Sequence, residues 1–273
     1  MNIKKTEEFS KQIRKNIILA AFSAGAKSAH IGGALSIADI ISVLFGDIMN
    51  LDSKNPLNID RDRFILSKGH ACLALYSVLA EKNFIKTEDL KNFGKSNSNF
   101  LGHPTMDKKK GIEFSTGSLG MGLSLGVGVA YAGVKKKKKY KVFIVLGDGE
   151  CNEGSVWESV LLASHLKLDN LVVFIDKNNL QQTGKNQDIL NLGDLTKKFL
   201  SFNWNAIEIN GHDHSEIYQA VKNKKLEKPL AVIANTTKGK GVSIFENNNE
   251  WHHSILSETN YEQALKELDK INS

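Results

Sequence analysis

The chain has 273 residues, 41% of them hydrophobic and 24% charged, with a formal net charge of +6. That length can bury one large core, and no run of eighteen or more apolar residues is present to span a bilayer. The basic excess is almost all lysine, with arginine only at Arg14, Arg61 and Arg63. Readers of nucleic acid favour arginine, so neither nucleic acid nor a membrane is expected as a partner.

Met1 to Ser10 is charged and lacks the apolar segment of a secretory signal. Cys72 and Cys151 form no metal-binding spacing, and a reducing, cytoplasmic location is expected. Apolar positions at helical spacing (Phe9, Ile13, Ile17, Ala20) predict a helix over Glu7–Ala24, and a second helix is expected over Leu35–Met49. Phe64-Ile65-Leu66 reads as a strand opening through Ser-Lys-Gly-His onto a helix over Ala71–Lys82. Gly117 to Gly133 is a glycine-rich helical pattern. Each glycine costs a helix about 1 kcal/mol against alanine, so the pattern implies close approach of the backbone to another helix or a ligand. The run Lys135–Lys139 is read as a solvated connection into the next strand. Val142–Leu146, Leu171–Ile175, Ala206–Ile209 and Leu230–Ala234 are short apolar runs separated by helical segments. They predict an α/β fold, a doubly wound parallel sheet with helices on both faces. With three prolines and no repeat, residues 1–273 read as one domain.

The chemistry begins where Val142–Leu146 ends, in Gly147-Asp148-Gly149-Glu150. Ligands of such sheets sit beyond the carboxyl ends of the strands. The glycines flanking Asp148 let the backbone pass close to a bulky anion, and a helix starting near Ser155 turns its positive end to phosphate. The next strand ends in Asp176-Lys177-Asn178-Asn179-Leu180. Asp148 and Asn178, joined by one backbone carbonyl, are hard oxygen ligands that suit Mg²⁺, with Ca²⁺ and Mn²⁺ as alternatives.

This pair resembles the thiamine-diphosphate motif, a Gly-Asp-Gly followed about thirty residues on by an asparagine pair. The resemblance implies a thiamine-diphosphate-binding fold. Asp148, Asn178 and the Leu180 carbonyl would hold the metal, with Gly147, Gly149 and Glu150 at the cofactor. Ser28-Ala29-His30-Ile31-Gly32, Ser67-Lys68-Gly69-His70, Gly102-His103-Pro104, Thr116-Gly117-Ser118-Leu119-Gly120, Lys238-Gly239-Lys240-Gly241 and Glu250-Trp251-His252 together look like transketolase, from about residue 10 to about 255.

By that resemblance His70 and His252 lie near the diphosphate, while His30 and His103 contact hydroxyls of the donor sugar. Gly117, Ser118 and Leu119 border the cofactor, Leu119 against its thiazolium ring. His30, His103, His252 and Glu153 are the candidate catalytic residues, Glu153 as an interface or proton-relay group; Glu158 is placed toward an interface between subunits. His165 and His214 fall outside these segments and are read as structural. Neutral imidazoles both donate and accept hydrogen bonds, which suits polyols. The implied reaction moves a two-carbon ketol unit from a ketose to an aldose, both as sugar phosphates, with the cofactor as electron sink.

The sequence departs from the family pattern at Thr105, where Glu commonly follows Gly-His-Pro, and at Ser118, where proline is usual. The chain matches only the diphosphate-binding domain. The glutamate that activates the cofactor's pyrimidine ring belongs to a separate domain. The resemblance therefore implies a second subunit carrying the pyrimidine-binding and C-terminal domains, in an α2β2 heterotetramer. A deoxyxylulose-phosphate-synthase-like enzyme, the α subunit of a 2-oxoacid dehydrogenase and a non-catalytic cofactor-binding scaffold are the alternative readings.

Overall fold

The computed structural model describes residues 2–223 and 227–271. Five strands, β1 (Arg63–Leu66), β2 (Val142–Gly147), β3 (Leu171–Lys177), β4 (Asn205–Asn210) and β5 (Leu230–Asn235), form one sheet in the order β1-β2-β3-β5-β4. Every pairing is parallel. The helices are α1 (Ile3–Ser23), α2 (Gly32–Leu35), α3 (Ala38–Val43), α4 (Cys72–Glu81), α5 (Met121–Lys135), α6 (Gly154–His165), α7 (Asn186–Ile189), α8 (Leu195–Ser201), α9 (His214–Lys222) and α10 (Glu258–Asp269). Among the described residues, no helix is long and apolar enough to cross a membrane.

Alternation along the strands divides the core. Phe143, Val145, Val172, Phe174 and Val232 point to one face, with α1, α3, α4, α9 and α10. Val142, Ile144, Leu146, Val173, Ile175 and Ile233 point to the other, with α5, α6 and α8. Strands buried on both faces read as unbroken apolar runs. For that reason the sequence reveals β2, β3 and β5 clearly.

Three boundaries differ from expectation. The first helix starts at Ile3, where Asn2 caps it by accepting from the Lys5 amide. The helix expected over Leu35–Met49 is broken: α2 ends at Leu35, α3 begins at Ala38, and Leu44–Ile48 forms a π-helical turn. At the break, Ser36 is fully buried and donates to Asp176 at 2.7 Å. A contact across the fold thus overrides local periodicity. The glycine-rich helix starts only at Met121, because Gly117 (φ +149°) and Gly120 (φ +82°) adopt conformations that side chains disfavour. The close approach implied by its glycines is to the sheet. A Cβ at Gly126 would stand 2.2 Å from Ile144 Cδ1, and one at Gly122 would meet Ser67 Oγ at 2.4 Å.

Candidate functional site

Because the strands are parallel, their carboxyl ends share one edge, and four of the five feed a single cleft of about 360 Å³. β1 leads to Lys68 and His70, β2 to Asp148–Glu150, β3 to Asn178, Leu180, Gln181 and Gln182, and β5 to Lys238; His30, His103, Gly117, Leu119 and His252 enter on loops.

The loops are fixed to one another. Ala29 and Ser254 exchange backbone hydrogen bonds of 3.0 Å, which sets the His30 loop against the segment carrying His252. The Gly239 amide donates to the Gly32 carbonyl at 2.9 Å. Loop Leu101–His103 is held from α4, where Tyr76 donates to Leu101 O at 3.0 Å and the Cys72 thiol to Gly102 O at 3.1 Å.

The two strand tips meet. Asp148 accepts from the Asn179 amide at 2.6 Å and from the Gly149 amide at 2.8 Å. Asn179 takes a left-handed turn (φ +62°) that curls the backbone back at Asn178–Leu180. The Asn178 amide donates to Asp176 at 2.9 Å, which fixes its oxygen on the opposite side. Burial and the Asp176 charge push the Asp148 carboxyl up to about 6, and a cation beside it would hold it ionised. Among the described residues no cluster of three or more His, Cys, Asp or Glu side chains is arranged to hold a metal. Asp148, Asn178 and Leu180 line the cleft together and are of a different kind, offering a carboxylate, an amide and a carbonyl oxygen, types that hard divalent ions accept.

Cationic groups face the same space. Lys68 is buried and paired with Asp176. Burial alone would raise Asp176, but the Lys68 ammonium and the hydroxyls of Thr236 and Ser36 hold it below the usual carboxylate range. Lys238 Nζ lies 2.9 Å from Gln181 O and 3.1 Å from His252 Nδ1. An ammonium only donates, so the neutral His252 ring carries its proton on Nε2. Burial, then the Lys68 charge, brings Lys238 down to about 8. The Nε2 of Gln181 is buried with no partner among the described residues, a donor available to an anion.

The imidazoles crowd around His30, whose ring centroid lies 5.3 Å from His252, 5.5 Å from His70, 5.9 Å from His103 and 4.3 Å from His253. Burial first, then its neighbours, lowers His30 to about 3 and His252 to about 4, and burial takes His70 well below its usual value. All three are uncharged near neutrality. These three rings therefore form a hydrogen-bonding surface rather than a positive patch.

Of the residues singled out by sequence, His30, His70, His103, Gly117, Leu119, Gly147, Asp148, Gly149, Glu150, Glu153, Asn178, Leu180 and His252 line the cleft; Ser118 is exposed and does not. Glu150 accepts from Ser67, from the Gly120 amide at 2.8 Å and from the Gly147 amide at 3.0 Å. Both its oxygens are thus engaged in framing the loops. The helix expected to start near Ser155 begins at Gly154, after a 3₁₀ turn at Gly149–Asn152. His214 is buried away from the cleft, as expected. Sequence reasoning missed Lys68, Lys238, Gln181, Asp176 and His253. The two lysines stood inside the family-like segments, and each is revealed by its buried ammonium.

A profile described as "Transketolase, thiamine diphosphate binding domain" matches residues 9–270. The chain belongs to the transketolase family. It is 38% identical to one of the subunits of apulose-4-phosphate transketolase from Phocaeicola vulgatus, over 99% of this chain and 96% of that protein. It is 37% identical to a 6-deoxy-6-sulfo-D-fructose transketolase subunit of a Clostridium species, over 88% of each. Its fold superposes on transketolase from Campylobacter jejuni with a TM-score of 0.90 at 34% identity, covering 98% of this chain and 43% of that one. The chain thus spans less than half of the Campylobacter enzyme and nearly all of the Phocaeicola protein.

Proposed function

We propose that this chain is the metal- and diphosphate-holding subunit of a two-subunit transketolase that moves a two-carbon ketol unit from a ketose phosphate to an aldose phosphate. The observation that carries this reading is the meeting of the Asp148 and Asn178–Leu180 strand tips in a cleft walled by imidazoles.

In this reading Asp148, Asn178 Oδ1 and the Leu180 carbonyl hold Mg²⁺. Lys68, Lys238 and Gln181 face the diphosphate, with His70 and His252 beside it. When bound, thiamine diphosphate supplies the electron sink that cleavage of a carbon–carbon bond beside a carbonyl requires. The chain's own work is positioning and proton handling. His30, as a neutral ring, and His103 take the donor's hydroxyls as hydrogen-bonding partners, His252 with a fixed tautomer offers Nε2–H, and Leu119 gives the ring an apolar wall. Gly117 and Gly149 leave room for close backbone approach, and Glu153 stands at the rim.

We assign the pyrimidine-binding and C-terminal domains to a partner polypeptide in an α2β2 assembly, with this chain as the single diphosphate-binding domain, and place the enzyme in the cytoplasm. The match to 96% of the Phocaeicola protein, itself named as one part of a transketolase, against 43% of the Campylobacter enzyme, supports the division. So do Leu119, Met121, Leu161 and Leu162, large apolar side chains exposed at the rim and on α5 and α6, which we assign to the partner contact.

Calorimetry of the chain with thiamine diphosphate and Mg²⁺, alone and with a polypeptide carrying the pyrimidine-binding and C-terminal domains, tests the reading. Asp148→Ala is expected to abolish cofactor retention. Its effect on the stability of the unliganded chain stays within about 1 kcal/mol, because the lost hydrogen bonds are offset by relief of a buried unneutralised carboxylate. Unchanged retention in Asp148→Ala refutes the metal assignment.

A further inference from the structure

One cluster of titratable groups lies outside the cleft and is used by none of the chemistry above. Asp39, on α3, is buried and accepts from Arg14 Nη1 at 2.9 Å and Nη2 at 2.6 Å, from Ser10, from His214 Nε2 at 3.1 Å and from His212 Nδ1 at 2.8 Å. Charge balance is met by Arg14 alone, so the two imidazoles need another reason. For His212 the structure supplies one. Its Nε2 lies 2.8 Å from the backbone nitrogen of Thr237. A backbone amide can only donate, so Nε2 is unprotonated and the ring proton sits on Nδ1, aimed at Asp39. The carboxylate selects the tautomer, and the tautomer holds the amide.

Thr237 stands between two residues of the cleft's wall. Thr236 donates its hydroxyl to Asp176, the carboxylate that also takes Lys68 and the Asn178 amide. Lys238 reaches Gln181 O and His252. We propose that Asp39 and His212 act as a positioning pair, which sets the Thr236–Lys238 segment so that the Lys238 ammonium and the Asp176 network meet the ligand in register. Neither residue touches the ligand, and both act through the Thr237 amide. The consequence for cofactor binding rests on the reading of the cleft given above.

Two substitutions separate this role from general support of the fold. Glutamine at 212 can place its amide oxygen where Nε2 lies, whereas asparagine matches only the Nδ1 side. Amide exchange followed by NMR on the full chain should show the Thr237 amide exchanging about tenfold faster in His212→Asn, the loss of one hydrogen bond, with the Leu230–Asn235 amides unchanged. His212→Gln should restore protection. The affinity for thiamine diphosphate with Mg²⁺ should follow, falling about tenfold in His212→Asn and recovering in His212→Gln.

Unchanged protection at Thr237 in His212→Asn overturns the proposal, as does equal acceleration across β5, which marks a merely structural role. A wild-type chain that binds no thiamine diphosphate refutes the reading of the cleft, while the exchange measurement still decides the positioning. Should His212→Asn not fold, the ¹⁵N shifts of His212 in the wild-type chain decide: a proton on Nδ1 at pH 7 supports the pair, and one on Nε2 overturns it.

Discussion

Replacing Asp176 with asparagine should destabilise the chain far more than the loss of one hydrogen bond. Asp176 is fully buried, and the Lys68 side chain beside it is 2% exposed. Its Oδ2 accepts from Lys68, from Ser36 at 2.7 Å and from Asn178 at 2.9 Å, while Oδ1 accepts from Thr236. Asparagine keeps one acceptor oxygen and turns an NH₂ toward a group that was donating. The ammonium, on a side chain only 2% exposed, is left without its paired counter-charge. Removing one partner of a buried pair costs about 3–5 kcal/mol. With a urea slope of about 3 kcal/mol/M, that moves the unfolding midpoint down by about 1–1.7 M. Equilibrium urea unfolding by circular dichroism of the unliganded chain measures it. The double variant Asp176→Asn, Lys68→Met removes both charges together and should recover most of the loss. A single-variant loss under about 1 kcal/mol, the range of an exposed ion pair, would show that Lys68 is solvated and would refute the reasoning.

Other outcomes follow from the same geometry. His103→Ala should lower kcat/KM for the sugar by about tenfold, one hydrogen bond to a hydroxyl, while calorimetry finds cofactor affinity unchanged. Gly69→Ala would bring a Cβ to 2.7 Å from the Gly117 nitrogen and from Thr116 C, and to 2.8 Å from Thr116 O. The backbone of the Gly117–Leu119 wall must then shift, at about 1–3 kcal/mol, with weaker cofactor binding. Gly128→Ala, where nothing lies within 4 Å, should instead stabilise α5 by up to about 1 kcal/mol in thermal unfolding of the isolated chain. Burial alone would raise Asp39, but Arg14, His212 and His214 hold it well below the usual carboxylate range. Its stabilisation is therefore full above the unfolded value of about 4 and fades as pH falls through the lower folded value. The stability gap between wild type and Asp39→Asn should be level from about pH 5 to 8 and close on further acidification; a gap that widens there contradicts the assignment.

The part of this architecture legible in the sequence is the part written locally. β2 and β3 announce themselves as unbroken apolar runs, and each ends in the polar residues that its tip presents, so the pairing of Asp148 with Asn178 needed only the rule that ligands gather at strand ends. His30, His70, His103 and His252 each sat beside a glycine or at the end of an element, and the fold does bring them together. What could not be read is made by contacts between distant positions. Ser36 breaks a helix because Asp176 lies 140 positions on, and Lys68 meets Asp176 across 108. His212 gains its role from Asp39 at 173. No periodicity encodes such a bond. Glu150 lines the cleft, and its bonds to Ser67 and to the Gly120 amide are likewise made across the chain.

The antiparallel bridge between Ala29 and Ser254 has a kinetic consequence. Ser28 and His253 beside it are 225 positions apart, and closing so long a span of chain is slow and entropically costly. The His30 loop is therefore made 225 positions before its mate. The nascent chain can thus assemble α1, the first strands and the Asp148 tip well before the histidine wall exists. The His252 side of that wall is added only after all five strands have been made.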